Sequence, residues 1–497
     1  MLINRFLDIC KSLSSRCVHA EFLNGIRVSR MESPTVKSKR VEMLTSVLTR
    51  RRFNQLAGMA AASLAVARPT HAQTTPGILL EIAPYTLEAS PKRHIRTIAY
   101  NGQVPGPLIR MHEGQQQSIE IRNKSTNPEI VHWHGLFLPP EIDGAMEEGT
   151  PMIAPGASTR FTLTPSPSGF RWYYTHTFAG KDLTRAQFGG LHGFLLIEPR
   201  SNPGNYDSEI FLALHDWDGH FMSNDDGYMN PVYDVSTING KMLGFGDPIK
   251  IKPGQRVLLH ILNSSPTEVH WISLSGHAFK VIALDGNAVP RSQTVSMLRL
   301  APAERISAVI EMDNPGTWVL GEVRRHVQAA GMGIVFEYAN TTGKPMWNQP
   351  ESLLWNYHQF ATASTAPSPD NQRINLVFEA KFHGHGNEEQ WLINGLSYPQ
   401  NSAPDKLPRL RAGQRYRFVM HNKSMDDHPI HLHRHTFELR RVESAAEISG
   451  IDKDVVLVPA NTTVEVEFLA NHPGKTLFHC HQQDHMDRGF MMVFDYA

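Results

Sequence analysis

The sequence predicts an all-β chain built from three copies of one Greek-key β-sandwich or barrel domain. A long repeat is the first reason. "YNGQVPGPLIRMHEGQQQSIEIRNKS" begins at Tyr100, "INGKMLGFGDPIKIKPGQRVLLHILNSS" at Ile238 and "INGLSYPQNSAPDKLPRLRAGQRYRFVMHNKS" at Ile393. Each copy joins Asn-Gly to a Pro-containing loop, a Gly-Gln and a strand ending at Asn123, Asn263 or Asn422. The Asn-Gly steps start at 101, 239 and 394, a domain-sized spacing rather than that of a solenoid. Second, the copies close alike, with "GFRWYYTH" from Gly169, "GTWVLGEV" from Gly316 and "GKTLFHCH" from Gly474. Aligned without gaps, Cys480 falls on Glu322 in the second copy and on Thr175 in the first. Third, "SIEIRN" and "RYRFVMHN" alternate with period two, and 33 Pro with 36 Gly suit many turns and short strands.

Taken along the chain, residues 1–72 read as a removable leader. "TRRRFNQ" at 49–55 precedes an apolar run from Leu56 to Ala67, and Thr70-His71-Ala72 offers a small-residue cleavage site. The run is too short for a bilayer core of roughly 30 Å. The arginines resemble a twin-arginine signal, which predicts a periplasmic or secreted protein. The first domain is expected at 73–200, the second at 201–345, a linker at 346–372 and the third at 373–497. Net charge is zero, so nothing points to nucleic acid or an anionic membrane, and no segment reaches spanning length.

Of three cysteines, Cys10 and Cys17 lie in the leader, which leaves Cys480 alone in the mature chain. A lone thiol in an oxidising compartment is a liability unless it is used. Cys480 stands between His479 and His481, and His485 follows. Histidine also concentrates as "HWH" (His132, His134), "YYTH" (His176) and "HPIHLH" (His428, His431, His433). In a strand, residues two apart share a face. His132 with His134, His431 with His433, and His479 with His481 therefore present imidazole pairs, and Cys480 points the other way. One strand thus serves two metal sites. Cys480 with His428 and His485 forms a two-histidine, one-thiolate set, the blue-copper arrangement suited to electron transfer. The second copy carries no such segment.

These four segments resemble the signature of the multicopper oxidases, of the three-domain, laccase-like class. The likeness covers about residue 76 to the C-terminus. It implies three cupredoxin-like domains, up to four copper ions per chain, and dioxygen as electron acceptor. By position, it implies a type 1 copper at His428, Cys480 and His485, and a type 2 copper at His132 and His431. The type 3 pair takes His134, His176, His433, His479 and His481. Tyr174 stands where that family has a further type 3 histidine. It is expected to be a phenolate ligand, a redox-active side chain, or a loss that weakens the cluster. Phe490 occupies the axial type 1 position, often Met, and a residue that cannot donate favours Cu(I) and a high potential.

Asp143, in "DGAMEEG", matches an acidic residue near type 2 copper and is expected to supply protons. Where many bacterial members have glutamate after the last histidine, this chain has Met486, with Asp484 and Asp487 nearby. The 19 Met form no cluster like that of Cu(I)-oxidising members, which leans toward phenols and aromatic amines as donors. Cu(I) oxidation, a type 1-only electron carrier and a copper-free scaffold remain alternatives. "HGHG" at 383–386 is expected to be an exposed polar loop.

Overall fold

The structure is a computed structural model that describes residues 77–201, 204–223, 229–341, 343–364, 372–381, 389–443 and 445–496. The leader with Cys10 and Cys17, and the histidines at 383–386, lie outside them.

The chain forms three cupredoxin-like domains, each a sandwich of two sheets. In the first, a four-stranded sheet holds Ile78–Ser90 between Arg93–Tyr100 and Gln117–Asn123, with Ser158–Leu163 outermost. The facing sheet runs Gly106–His112, His192–Glu198, Gly169–Thr175, Val131–His134. Leu80, Ile82 and Ile119 from one sheet pack against Trp133, Tyr173 and Leu195 from the other. The second and third domains each pair a six-stranded with a five-stranded sheet. Among the described residues, no helix is long and apolar enough to cross a membrane.

The repeated residues do repeated work. Asn101, Asn239 and Asn394 and the glycines after them all have positive φ, as a tight type I′ hairpin requires. Each of these asparagines also clamps a neighbouring strand by two hydrogen bonds: Asn394 accepts from Val377 N and donates to the Asn375 carbonyl. At the other end, Asn123, Asn263 and Asn422 each accept from the backbone N–H two residues on and donate to nearby carbonyls.

Strand register confirms the gap-free alignment. Thr175 lies opposite Val131, Glu322 opposite Ile272, and Cys480 opposite Ile430. Two residues before those partners stand Glu129, His270 and His428. The same corner of the sandwich is therefore filled three ways. In the first domain the Thr175 hydroxyl donates to the Glu129 carboxylate. In the second, His270 sits between Asp216 and Glu322 at 2.9 and 3.0 Å. Only the third offers a thiol and imidazoles.

Candidate metal centre

The Cys480 corner is assembled by two paired strands and one helical turn. His428 opens the strand His428–Leu432, Cys480 closes Thr476–Cys480, and His485 lies in Gln483–Asp487. Cys480 Sγ stands 3.7 Å from His428 Nδ1 and 3.6 Å from His485 Nδ1, and those two nitrogens are 3.2 Å apart. The Ser424 hydroxyl already donates to Asn422 Oδ1, so it accepts from His428 Nε2–H at 2.8 Å. That leaves the His428 Nδ1 lone pair facing the sulfur. Burial pushes the Cys480 thiol up and the two imidazoles down. A thiolate is stable at such a place beside a bound cation. Phe490 closes the corner with its ring 4.5 Å from that of His428, and Trp391 packs 4.1 Å from His485.

Behind this corner the remaining histidines meet, from the first domain and the third. All are buried, His176 slightly less than the others. Their tautomers follow from partners that can only accept. His132 Nδ1 donates to the Asp143 carbonyl, His431 Nδ1 to the Asp454 carbonyl, and His479 Nδ1 to the Cys480 carbonyl. His433 Nδ1 reaches the Asp143 carboxylate and His134 Nε2 the Asp454 carboxylate. The opposite nitrogens carry lone pairs. His132 Nε2, His431 Nε2 and His134 Nδ1 are buried without a hydrogen-bond partner. His433 Nε2 lies 3.1 Å from His479 Nε2, which lies 3.4 Å from His176 Nε2. Two lone pairs repel at that distance, and a shared cation resolves the conflict. His132, His431 and His433 form one close ligand group, and His176, His433 and His479 another.

Domain profiles described as multicopper oxidase match residues 82–202, 211–334 and 365–497. The chain belongs to the multicopper oxidase family. Multicopper oxidase MmcO of Mycobacterium tuberculosis is 27% identical over 81% of this chain and 83% of its own length. The L-ascorbate oxidase of Cucurbita pepo var. melopepo is 25% identical over 79% and 90%. The crystal structure of Fet3p, a multicopper oxidase that functions in iron import, superposes with a TM-score of 0.73 at 19% identity, covering 85% of this chain and 90% of that one. Copper is the family's cofactor. The donors of this multicopper oxidase fit it: a buried thiol with imidazole nitrogens, and imidazole-only groups whose lone pairs converge.

Around these donors the structure places every residue the sequence singled out, and adds others. Tyr174 lies against the cluster, its hydroxyl 3.0 Å from His481 Nε2 and its ring stacked 4.2 Å from Trp172. Asp143 holds ligands by two atoms, its carbonyl on His132 and its carboxylate on His433. Asp487 accepts from Ala179 N, Gly180 N and Gln483 Nε2, and burial pushes its carboxyl up to about 7. Asp484 Oδ1 is buried without a partner. Asp454, Glu148, Ser424 and Trp391 escaped the sequence reading. Glu148 accepts from Leu477 N and lies 3.6 Å from His433 Nδ1. It stands in the "DGAMEEG" stretch already drawn out for Asp143, so its signal was present. Asp454, within "DKDVVLVP", has no nearby histidine in the sequence to announce it.

Proposed function

We propose that this oxidase takes electrons singly from phenols and aromatic amines beside His485 and delivers four to dioxygen, forming water. The observation that carries this reading is the run His479-Cys480-His481. Cys480 faces His428 and His485, whereas His479 and His481 face the histidine cluster, so one covalent path joins two metal sites. In this reading type 1 copper is held by His428, Cys480 and His485, and type 2 copper by His132 and His431. The type 3 pair takes His134, His176, His433, His479 and His481. Bound copper would supply one-electron exchange at the thiolate site and oxygen reduction at the cluster.

The protein's own groups do the rest. Asp143, through His132 and His433, orients one ring of each contributing domain, and its free Oδ1 is placed to hold a proton beside them. Burial pushes the Tyr174 phenol well above its ordinary range. The hydroxyl bonds His481, and only a bound cation would draw off its proton, so this reading gives the type 3 position fewer strong donors. The donor side is a cavity of about 370 Å³ next to His485, lined by Phe178, Tyr398, Met486 and Met491 with Glu389 and Asp487. Gln390, Ser397 and Arg488 complete the wall, and this mix of aromatic, apolar and polar groups suits a phenol or an aniline.

A second donor class, a reduced metal cation such as Cu(I), would be attracted by one feature. Glu389, Asp426 and Asp484 gather near the type 1 corner, and burial together with their mutual repulsion pushes Glu389 up to about 7 and Asp426 to about 6. The leader reading adds export to the periplasm or beyond.

Oxygen uptake by the copper-loaded chain with a simple phenolic donor tests the main reading. Uptake without released peroxide is expected. A blue site that the phenol reduces while oxygen is not consumed would instead mean an electron carrier. Uptake with Cu(I) but not with the phenol would move the donor to the second class.

A further inference from the structure

The second domain offers no candidate ligand among the described residues, yet one of its side chains ends beside the cluster. Arg305 is fully buried at the start of the strand Arg305–Met312. Its Nη1 donates to Asp454 Oδ1 at 2.5 Å and its Nη2 to Asp454 Oδ2 at 2.6 Å. Arg171, from the first domain, adds Nη1 to Oδ2 at 3.1 Å. Asp454 itself belongs to the third domain. One carboxylate thus collects a guanidinium from each of the other two domains.

The other bonds of Asp454 run to the cluster. Oδ1 accepts from His134 Nε2 at 3.0 Å, and the carbonyl accepts from His431 Nδ1 at 2.6 Å. Both acceptors lack a proton to give, so both rings must carry hydrogen at those nitrogens. His134 is thereby left with Nδ1 as its lone pair and His431 with Nε2, and these are the atoms buried without partners. The two rings stack at 3.9 Å. The approach needs Gly135: at φ +83°, a Cβ there would stand 2.5 Å from Asp454 Oδ2.

We propose that Arg305 is a positioning residue: by gripping both oxygens of Asp454, it fixes which nitrogen His134 offers to copper and anchors the residue whose carbonyl orients His431. The ligand-free second domain then sets the geometry of a cluster it does not touch. A guanidinium fork is what this requires, because it fixes the plane of a carboxylate, whereas a lysine ammonium is a point charge around which the carboxylate can turn. If the carboxylate turns, His134 loses the bond that selects its tautomer and can present Nε2 instead.

The inference rests on the ligand reading above, and the test separates the two. Arg305→Lys, purified with copper, is compared with the unaltered protein by blue absorbance, by chelator competition for the remaining copper, and by the electron paramagnetic resonance of type 2 copper. The expected result is unchanged blue absorbance, cluster copper bound about 10- to 100-fold more weakly, and an altered type 2 spectrum. Unchanged affinity and spectrum would overturn the proposal. Parallel loss of blue and cluster copper would also overturn it, since that marks a general structural role. Cluster copper missing from the unaltered protein would sink the ligand reading and the inference with it. Should Arg305→Lys not fold, Arg305→Met with Asp454→Asn removes both charges together and is read by the same three signals.

Discussion

Phe490 shows what one side chain contributes at the thiolate corner. It is fully buried, its carbonyl accepts from Cys480 N, and its ring lies against His428, Trp391 and Phe378. It therefore brings apolar surface to the thiolate corner and no donor atom. A missing axial donor favours the cuprous state. Phe490→Met is expected to lower the type 1 reduction potential, and redox titration of the blue band checks it; an equal or higher potential would refute the assignment. Tyr174 poses the opposite case, a polar group where an imidazole would bind. Tyr174→His adds a donor facing His481. Copper at the cluster is then expected to resist a chelator roughly tenfold better or more, the scale on which metal-site partners act. No gain would mean that the phenol already serves as a full ligand. The sequence made the converging histidine pairs legible because i, i+2 spacing is a local property. It left Asp454 and Trp391 hidden, because His134 meets Asp454 across 320 residues and no local period encodes that meeting.

At the scale of strands, one register produces three different corners, and the alignment of Cys480 with Glu322 and Thr175 was readable from the closing segments alone. What could not be read was how the vacant corners are filled. In the second domain, His270 lies buried between Asp216 and Glu322, while Arg324 binds Glu322 and faces Glu268. Burial alone would lower the His270 pKa, but Asp216 and Glu322 outweigh it and raise it to about 10. Its unfolded value is near 6.5. The raised value means that His270 stabilises the fold fully below about pH 6.5 and that this contribution is lost as pH climbs toward 10. Asp216 runs the other way: partners hold it down at about 2 despite burial, so its contribution is present above its ordinary value and fades as pH falls through 2. His270→Gln is expected to flatten the alkaline limb of a stability-versus-pH curve between 6.5 and 10. A parallel curve, merely shifted, would show that the ion triad does not titrate in that window.

At the scale of the whole molecule, buried charge joins the domains next to the cluster, beside an apolar seam in which Trp172 and Tyr174 meet Leu262, Ala303 and Val455. Lys453 of the third domain is 1% exposed, and its ammonium reaches Asp285 at 2.8 Å and Glu304 at 3.0 Å, both from the second domain. Tyr357, from the expected linker, lies under that ammonium and donates its hydroxyl to Glu304. Asp285 in turn accepts from Val455 N by its carboxylate and from Arg171 and Arg305 by its carbonyl. The chain of contacts thus runs from the linker, through two domains, to the aspartate behind His134. Breaking a buried ion pair by removing one partner typically costs about 3–5 kcal/mol, since the other charges stay buried and uncompensated. Lys453→Met takes from Glu304 its cation at 3.0 Å and leaves Asp285 only the Arg305 cation, 3.7 Å away. It is therefore expected to lower the thermal midpoint of the copper-loaded protein and to make the cluster lose copper before the blue site does. The order matters more than the size: Lys453 stands behind Asp454, whereas Ser424, Trp391 and Phe490 hold the blue site without any help from Lys453. Heating while following blue absorbance and released copper separately would show it, and simultaneous loss of both signals would mean that the domain interface and the two metal sites melt as one unit.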